Sequence, residues 1–344
     1  MEDAVNNHTF PSPGILAHVD WSTSPKKRWI TLATKASKHD ATWHIHAPQR
    51  LSTFLQNQPP HYLHDALNIR AHGQGALLGI DMPIGLPCTP TIHAELTSFH
   101  HLLDLLAQEH PSWKNFLTPC KTHHDISAYQ PFYPHSPKGS KRQHLLDGLH
   151  LSNWNQLLRT CEYHQTGGSK PCPLYWTVGA NQVGKGAIKG WSTLPLPLHQ
   201  DRRLRIWPID GRLHELLTPQ QPHQLTIAEV YPAEIYTWLG LHWQAKTGKR
   251  HHTARMQQSA PLLNALEELP ATLSEDALHA LQDGFGDNAT AEDAFDSFIG
   301  LLGILMILYN KQPHHEPPRS IHTKIEGWIL GRQPPKPSST GQPQ

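Results

Sequence analysis

Apolar runs that stop on an acid recur along this chain. Gly14 to Asp20 (Gly-Ile-Leu-Ala-His-Val-Asp) reads as a strand ending on a carboxylate, followed by a turn through Ser24-Pro25-Lys26-Lys27. Arg28 to Ala36 and Ala41 to Ala47 alternate apolar with polar positions and are rich in β-formers, so they predict a second and a third strand. The short connections make these three an antiparallel meander. Leu51 to Leu67 carries a helical spacing, broken at Pro59-Pro60. Ala76-Leu77-Leu78-Gly79-Ile80 then leads straight into Asp81. Pro83 has no N–H to give to a ladder and stops that strand, while Gly85 and Pro87 add a turn.

Residues 88–222 lose this regularity. His93 to Glu109 and Ser152 to Tyr163 predict helices, separated by Pro-, Gly- and His-rich loops. Leu225 to Tyr231 is a further strand, which Pro232 stops just past Glu229. Helical patterns begin at Ile235 and cover Gln257–Leu269, Ser274–Gln282 and the strongly apolar Glu292–Tyr309. Residues 1–12 and 333–344 read as disordered ends around one domain, 13–332.

Three hairpin strands followed by two strands with helical crossovers is the RNase H-like layout. The expected fold is therefore α/β: a five-stranded mixed sheet (three antiparallel, two parallel strands) flanked by helices, with a large insertion, roughly 88–222, between strands 4 and 5. In that layout the first strand lies centrally, next to the fourth, with the fifth beyond it. Asp20, Asp81 and Glu229 would end neighbouring parallel strands at one sheet edge, where α/β proteins build their sites. Asp296, or Asp293, would point in from the last helix.

Composition narrows the reading. The 344 residues suffice for one large domain, and a formal net charge of +1 sets up no global field for nucleic acid or membrane. Cys88, Cys120, Cys161 and Cys172 form no CxxC pair, which argues for reduced thiols and against a zinc knuckle. The first residues lack the basic start and apolar core of a signal peptide, and Phe298–Tyr309 is too short to span a bilayer, so a cytoplasmic protein with no membrane partner is expected. The 28 histidines are scattered, with adjacent pairs in polar loops rather than spacings that would hold a metal.

The chemistry follows from the acids. Two unit charges about 4 Å apart at an effective dielectric near 20 repel by roughly 4 kcal/mol. A group of such carboxylates is tenable only if some protonate or a cation intervenes. Oxygen ligands without His or Cys suit Mg²⁺ or Mn²⁺. Such ions can stabilise the attacking and leaving oxygens of a phosphodiester displacement. The expected activity is metal-dependent hydrolysis of nucleic acid, DNA or RNA, with Asp20, Asp81, Glu229 and Asp296 as the catalytic, metal-holding acids and Asp293 as a further metal candidate. Plainer roles compete: Asp20 as a turn cap, Glu229 in a buried salt bridge with Lys249 or Arg250, and Asp293 as a helix-start acid complementing the dipole.

Four pieces of the chain carry a resemblance: Val19-Asp20-Trp21-Ser22, Gly79 to Pro87 (Gly-Ile-Asp-Met-Pro-Ile-Gly-Leu-Pro), Ala228 to Pro232 (Ala-Glu-Val-Tyr-Pro) and Glu326 to Gly331 (Glu-Gly-Trp-Ile-Leu-Gly). They resemble the predicted RNase H-like nuclease family catalogued as domain-of-unknown-function family 429. Val178 to Lys185 and Trp207-Pro208 are similar to its larger members, so the likeness covers most of residues 14–331. The resemblance implies an RNase H-like fold and a suspected metal-dependent nuclease. The last-helix acid is expected in an Asp-x-x-Asp-Ala-like setting; here it is Asp293-Ala-Phe-Asp296-Ser, and Asp296 is favoured.

Gln182, Lys185, Lys249 and Arg250 are the candidate phosphate contacts. Gly179 to Lys185 has the GxxxxGK spacing of a phosphate loop, but Gly186 stands where the Mg²⁺-binding hydroxyl belongs, and Gly190 and Pro195 argue against the long helix such a loop opens. The alternatives to a nuclease are a non-catalytic nucleic-acid-binding protein and a nucleotide-binding phosphotransferase. The latter needs glycine-rich turns that Asp20-Trp21-Ser22-Thr23 lacks.

Overall fold

The computed structural model describes residues 10–37, 40–163, 171–179, 183–218, 221–243 and 248–333. The expected disordered ends fall on or next to residues 1–9 and 334–344, which lie outside these, as does Gln182. Among the described residues there are eight strands: β1 Ile15–Asp20, β2 Trp29–Thr34, β3 Trp43–Ile45, β4 Gln49–Arg50, β5 Ala76–Ile80, β6 Leu204–Ile206, β7 Leu225–Glu229 and β8 Ala271–Leu273. They join one mixed sheet in the order β6-β7-β5-β1-β2-β3-β8, with β4 also pairing β2.

The β1-β2-β3 meander is antiparallel, and β5 and β7 run parallel to β1. The first strand is central, with the expected fourth and fifth strands beside and beyond it. The count of five is corrected to eight, because β4, β6 and β8 are two or three residues long, too short to leave a period in the sequence. The insertion is also less separate than expected: its β6 joins the sheet edge beside β7.

Alternation along the strands divides the core into two layers. Ile15, Ala17 and Val19 of β1, with Leu78 and Ile80 of β5, pack toward the insertion, against Phe99, Phe132 and Trp191. Leu16 and Leu77 face the other way, toward the helix Ala291–Leu308. That helix is apolar all round because it is sunk between the sheet and the helix Pro232–Trp238.

The buried helix lies unusually close to the sheet. A Cβ on Gly300 would stand 2.2 Å from the His18 ring, and one on Gly303 2.2 Å from Ile235 Cδ1. His18 has no room to move: it is fully buried and its Nδ1 bonds the Ser297 carbonyl at 3.1 Å. Gly300→Ala is therefore expected to destabilise by about 1–3 kcal/mol despite alanine's better helix propensity. A urea titration showing an unchanged or raised midpoint would contradict this packing.

Among the described residues, no helix is long and apolar enough to cross a membrane.

Candidate functional site

β1 and β5 end together. Val19 pairs with Ile80, and the Asp81 amide donates to the Val19 carbonyl at 3.0 Å, so Asp20 and Asp81 leave the sheet side by side. Asp296 stands one helical turn before Gly300, on the face that meets His18, so the tight helix–sheet contact carries it to the same edge. Asp293 lies in the first turn of the same helix.

Electrostatics reports the convergence. Burial, then repulsion from Asp296 and Asp81, raises Asp20 well above the ordinary carboxylate range. Burial and Asp296 push Asp81 up to about 7, with a smaller contribution from Glu229. Burial pushes Asp293 up to about 6, against the pull of Lys27. Among the described residues, neither Asp20 nor Asp81 accepts a side-chain or backbone hydrogen bond at its carboxylate, and Asp293 Oδ2 is buried without a partner. Asp81 is half-buried, and the Asp20 and Asp81 oxygens are open to solvent and to a ligand.

Asp296 is different. It accepts from the Tyr236 hydroxyl and is ion-paired with Lys249. Tyr236 sits on the helix that Pro232 opens, and Lys249 reaches in from the loop beyond it. The Lys249 ammonium also lies in the field of Asp20 and Asp81, and the acids hold its pKa above the ordinary lysine value although burial opposes them. It is thus the internal cation of the cluster, not the free phosphate contact expected from sequence. Arg250 is mostly exposed, 3.7 Å from Glu292. Lys185 lies in the first turn of the helix Val183–Thr193, so the glycine-rich segment does open a helix, of eleven residues, contrary to expectation.

Glu229 ends β7 as expected, but its side chain goes elsewhere. The parallel register pairs it with Ile80, one residue before Asp81, so it faces the insertion and not Asp81. There it accepts the Ile84 amide at 2.8 Å and a two-pronged bond from Arg159, at 2.6 and 2.7 Å. The buried salt bridge foreseen as its plainer role exists, but with Arg159 of the insertion in place of Lys249 or Arg250. The structure assembles Asp20, Asp81 and Asp296, with Asp293 nearby, and separates Glu229 from them.

In ligand type the acids suit a hard divalent cation: they offer oxygen only, and among the described residues Asp20 and Asp81 have no hydrogen-bond partner at their carboxylates. Among the described residues, no group of three or more His, Cys, Asp and Glu side chains is drawn together closely enough to hold a metal ion. Lys249 occupies the Asp296 carboxylate, so an ion would bind there in competition with it.

The chain matches no protein-family model, no curated protein and no solved structure.

Proposed function

We propose that this protein is a metal-dependent nuclease on an RNase H-like sheet, hydrolysing phosphodiester bonds of nucleic acid. One observation carries the reading: Asp20, Asp81 and Asp296 come from three distant parts of the chain to one sheet edge, and among the described residues Asp20 and Asp81 have no hydrogen-bond partner there. The central order β7-β5-β1-β2-β3 supports it, being the order the sequence reading attached to that fold.

Asp20, Asp81 and Asp296 would hold Mg²⁺ or Mn²⁺. Such an ion, when bound, supplies charge stabilisation to the attacking and leaving oxygens. The chain's own part is to keep the carboxylates poised: Tyr236 orients Asp296, and Lys249 balances the acids. Glu229, sequestered by Arg159, holds the loop after Asp81 through the Ile84 amide.

The pairing of Lys249 with Asp296 favours one rival, a nucleic-acid-binding protein that keeps the sheet without the chemistry. Incubation with single- and double-stranded DNA and RNA in Mg²⁺ or Mn²⁺ separates the two. The parent should cleave at least one substrate, and chelation should stop it. Asp81→Asn should cut the rate by about a hundredfold or more, a loss of roughly 3 kcal/mol in transition-state stabilisation. Its melting temperature should hold or rise, since one of the repelling charges is gone. Binding without cleavage by the parent would establish the rival, and equal cleavage by parent and Asp81→Asn would remove the site from consideration.

A further inference from the structure

Within the insertion, residues 110–147 carry Lys114, Lys121, Lys138, Lys141 and Arg142 against two acids, Asp125 and Asp147, in a chain whose net charge is only +1. Both acids are already engaged. Asp125 accepts from the Thr122 amide and hydroxyl at 3.0 and 2.9 Å, and Asp147 accepts from the Gln143 side chain at 2.8 Å. Lys121, Lys138, Lys141 and Arg142 are exposed, and among the described residues none of them is ion-paired.

A row of rings runs among these cations. His124 lies on His123 with ring centres 3.9 Å apart, and His123 stacks on His144 at 4.4 Å with the planes 24° apart. His144 Nδ1 shares a hydrogen bond with the Tyr133 hydroxyl at 2.8 Å, and the Tyr133 ring meets Trp176 edge-on at 6.2 Å. The Arg142 guanidinium stands 6.0 Å from the Trp176 ring and 5.3 Å from that of Trp154. Tyr133 and Trp176 are buried and form the base of the row, while His123, His124 and Arg142 are exposed along it.

Positive charge gathered without counter-charge suits a polyanion. Partial burial, then His123 and Lys141, lowers the His144 pKa; His124 adds to them, and Asp147 alone opposes. A polyanion lying over the row would reverse that balance and draw protons onto the histidines. The rings say which polyanion. An acidic peptide needs cations alone, whereas flat π faces interleaved with cations match bases and the phosphates between them. Bases offer their faces only when unpaired, so the strand is single.

We infer that this face of the insertion binds single-stranded nucleic acid, with Lys121, Lys138 and Lys141 on the phosphates and the His123–His124 stack and Arg142 against the bases. Phe132, beside Tyr133, packs on Trp191 at 6.2 Å, and Trp191 donates to the Pro83 carbonyl at 2.7 Å, so the face belongs to the body that covers the loop after Asp81. That the acid edge cuts the same strand rests on the nuclease reading; the binding does not.

The test uses the full chain in EDTA, so that no cleavage intervenes. Affinity for a labelled oligodeoxythymidylate is followed by anisotropy over a range of salt. The triple variant Lys138→Gln/Lys141→Gln/Arg142→Gln should bind ten- to hundredfold more weakly, with a salt dependence shallower by about two to three phosphate contacts. Parent affinity should rise several-fold from pH 7.5 to pH 6, as histidines gain protons, and His123→Gln/His124→Gln should flatten that rise. A duplex of the same length should bind more weakly than the single strand, and polyglutamate should not displace it. Undiminished binding by the triple variant overturns the inference, as does a duplex or polyglutamate that binds as well. If that variant also cleaves as the parent does, the nuclease reading stands without this face. Binding that depends on the face, with no cleavage in Mg²⁺ or Mn²⁺, keeps the face and removes the nuclease reading. Should the triple variant fail to fold, the parent's pH series decides: an affinity unchanged between pH 7.5 and pH 6 overturns the proposal.

Discussion

Arg159→Met is expected to cost about 3–5 kcal/mol of stability, enough to unfold a typical domain of marginal stability at moderate denaturant. The side chain is 1 % exposed and is held on all sides. It bonds both oxygens of Glu229, bonds Glu162 through Nε and Nη2 at 3.1 and 2.9 Å, and reaches the Glu326 carbonyl at 3.3 Å. Its removal strands two buried carboxylates. The penalty is thus one of uncompensated charge, and the double variant Arg159→Met/Glu229→Leu should recover part of it. Guanidinium titrations of the three proteins would decide; a loss under about 1 kcal/mol in the single variant would show that the knot is not what anchors the insertion. The same reasoning separates Glu229 from the acids at the edge. On the proposed nuclease reading, Glu229→Gln should leave metal-dependent cleavage largely intact in the fraction that folds, whereas Asp81→Asn should not.

The second large effect is a loss of stability in acid, traced to His18. Burial lowers its pKa from 6.5 to about 3, so it is neutral in the folded chain. The unfolded chain takes up a proton as pH falls below 6.5, and the folded chain does not until about pH 3. Stability from this residue is therefore full above pH 6.5 and is lost on acidification at about 1.4 kcal/mol per pH unit, some 4–5 kcal/mol in all. Asp81, raised to about 7, acts with the opposite sign: the folded chain binds its proton more readily, which adds stability as pH falls toward 4. Asp20 and Asp293, also raised, act in the same sense as Asp81, so the parent's own pH profile mixes all of them and the difference between parent and His18→Leu isolates the histidine. In EDTA buffers from pH 4 to 7 that difference should shrink steadily with acidification. A constant difference would mean that His18 is protonated in the fold or exposed to water.

The ends of β1 and β5 were legible because an apolar run, an acid and a nearby proline state strand, edge and stop in a few residues. The direction of Glu229 was not, although a trace of it is present: Asp81 lies two residues before Pro83, Glu229 three before Pro232. Equal strand stops then put the two acids one residue out of step, which in a parallel pair means opposite faces. Arg159 and Tyr236 lie in segments that read as helices and Lys249 in a basic loop, but nothing local marks their partners: each acts through a contact dozens of residues away. Pairings of that kind are set by how the insertion and the late helices settle on the sheet, not by local pattern. The three-residue strands β6 and β8 escaped for the same reason: their partners define them.

Gly85 and Gly327 touch so closely that a Cβ on Gly327 would fall 1.9 Å from the Ile84 carbonyl oxygen, and one on Gly85 2.2 Å from that of Glu326. Beyond that contact, the Leu330 amide donates to the Glu229 carbonyl at 2.9 Å. The last described residues therefore latch the segment that follows Asp81. β1, β5 and β7 all precede this latch in the chain. The loop after Asp81 therefore acquires its final shape only when the chain near position 330 has been made and has docked on it.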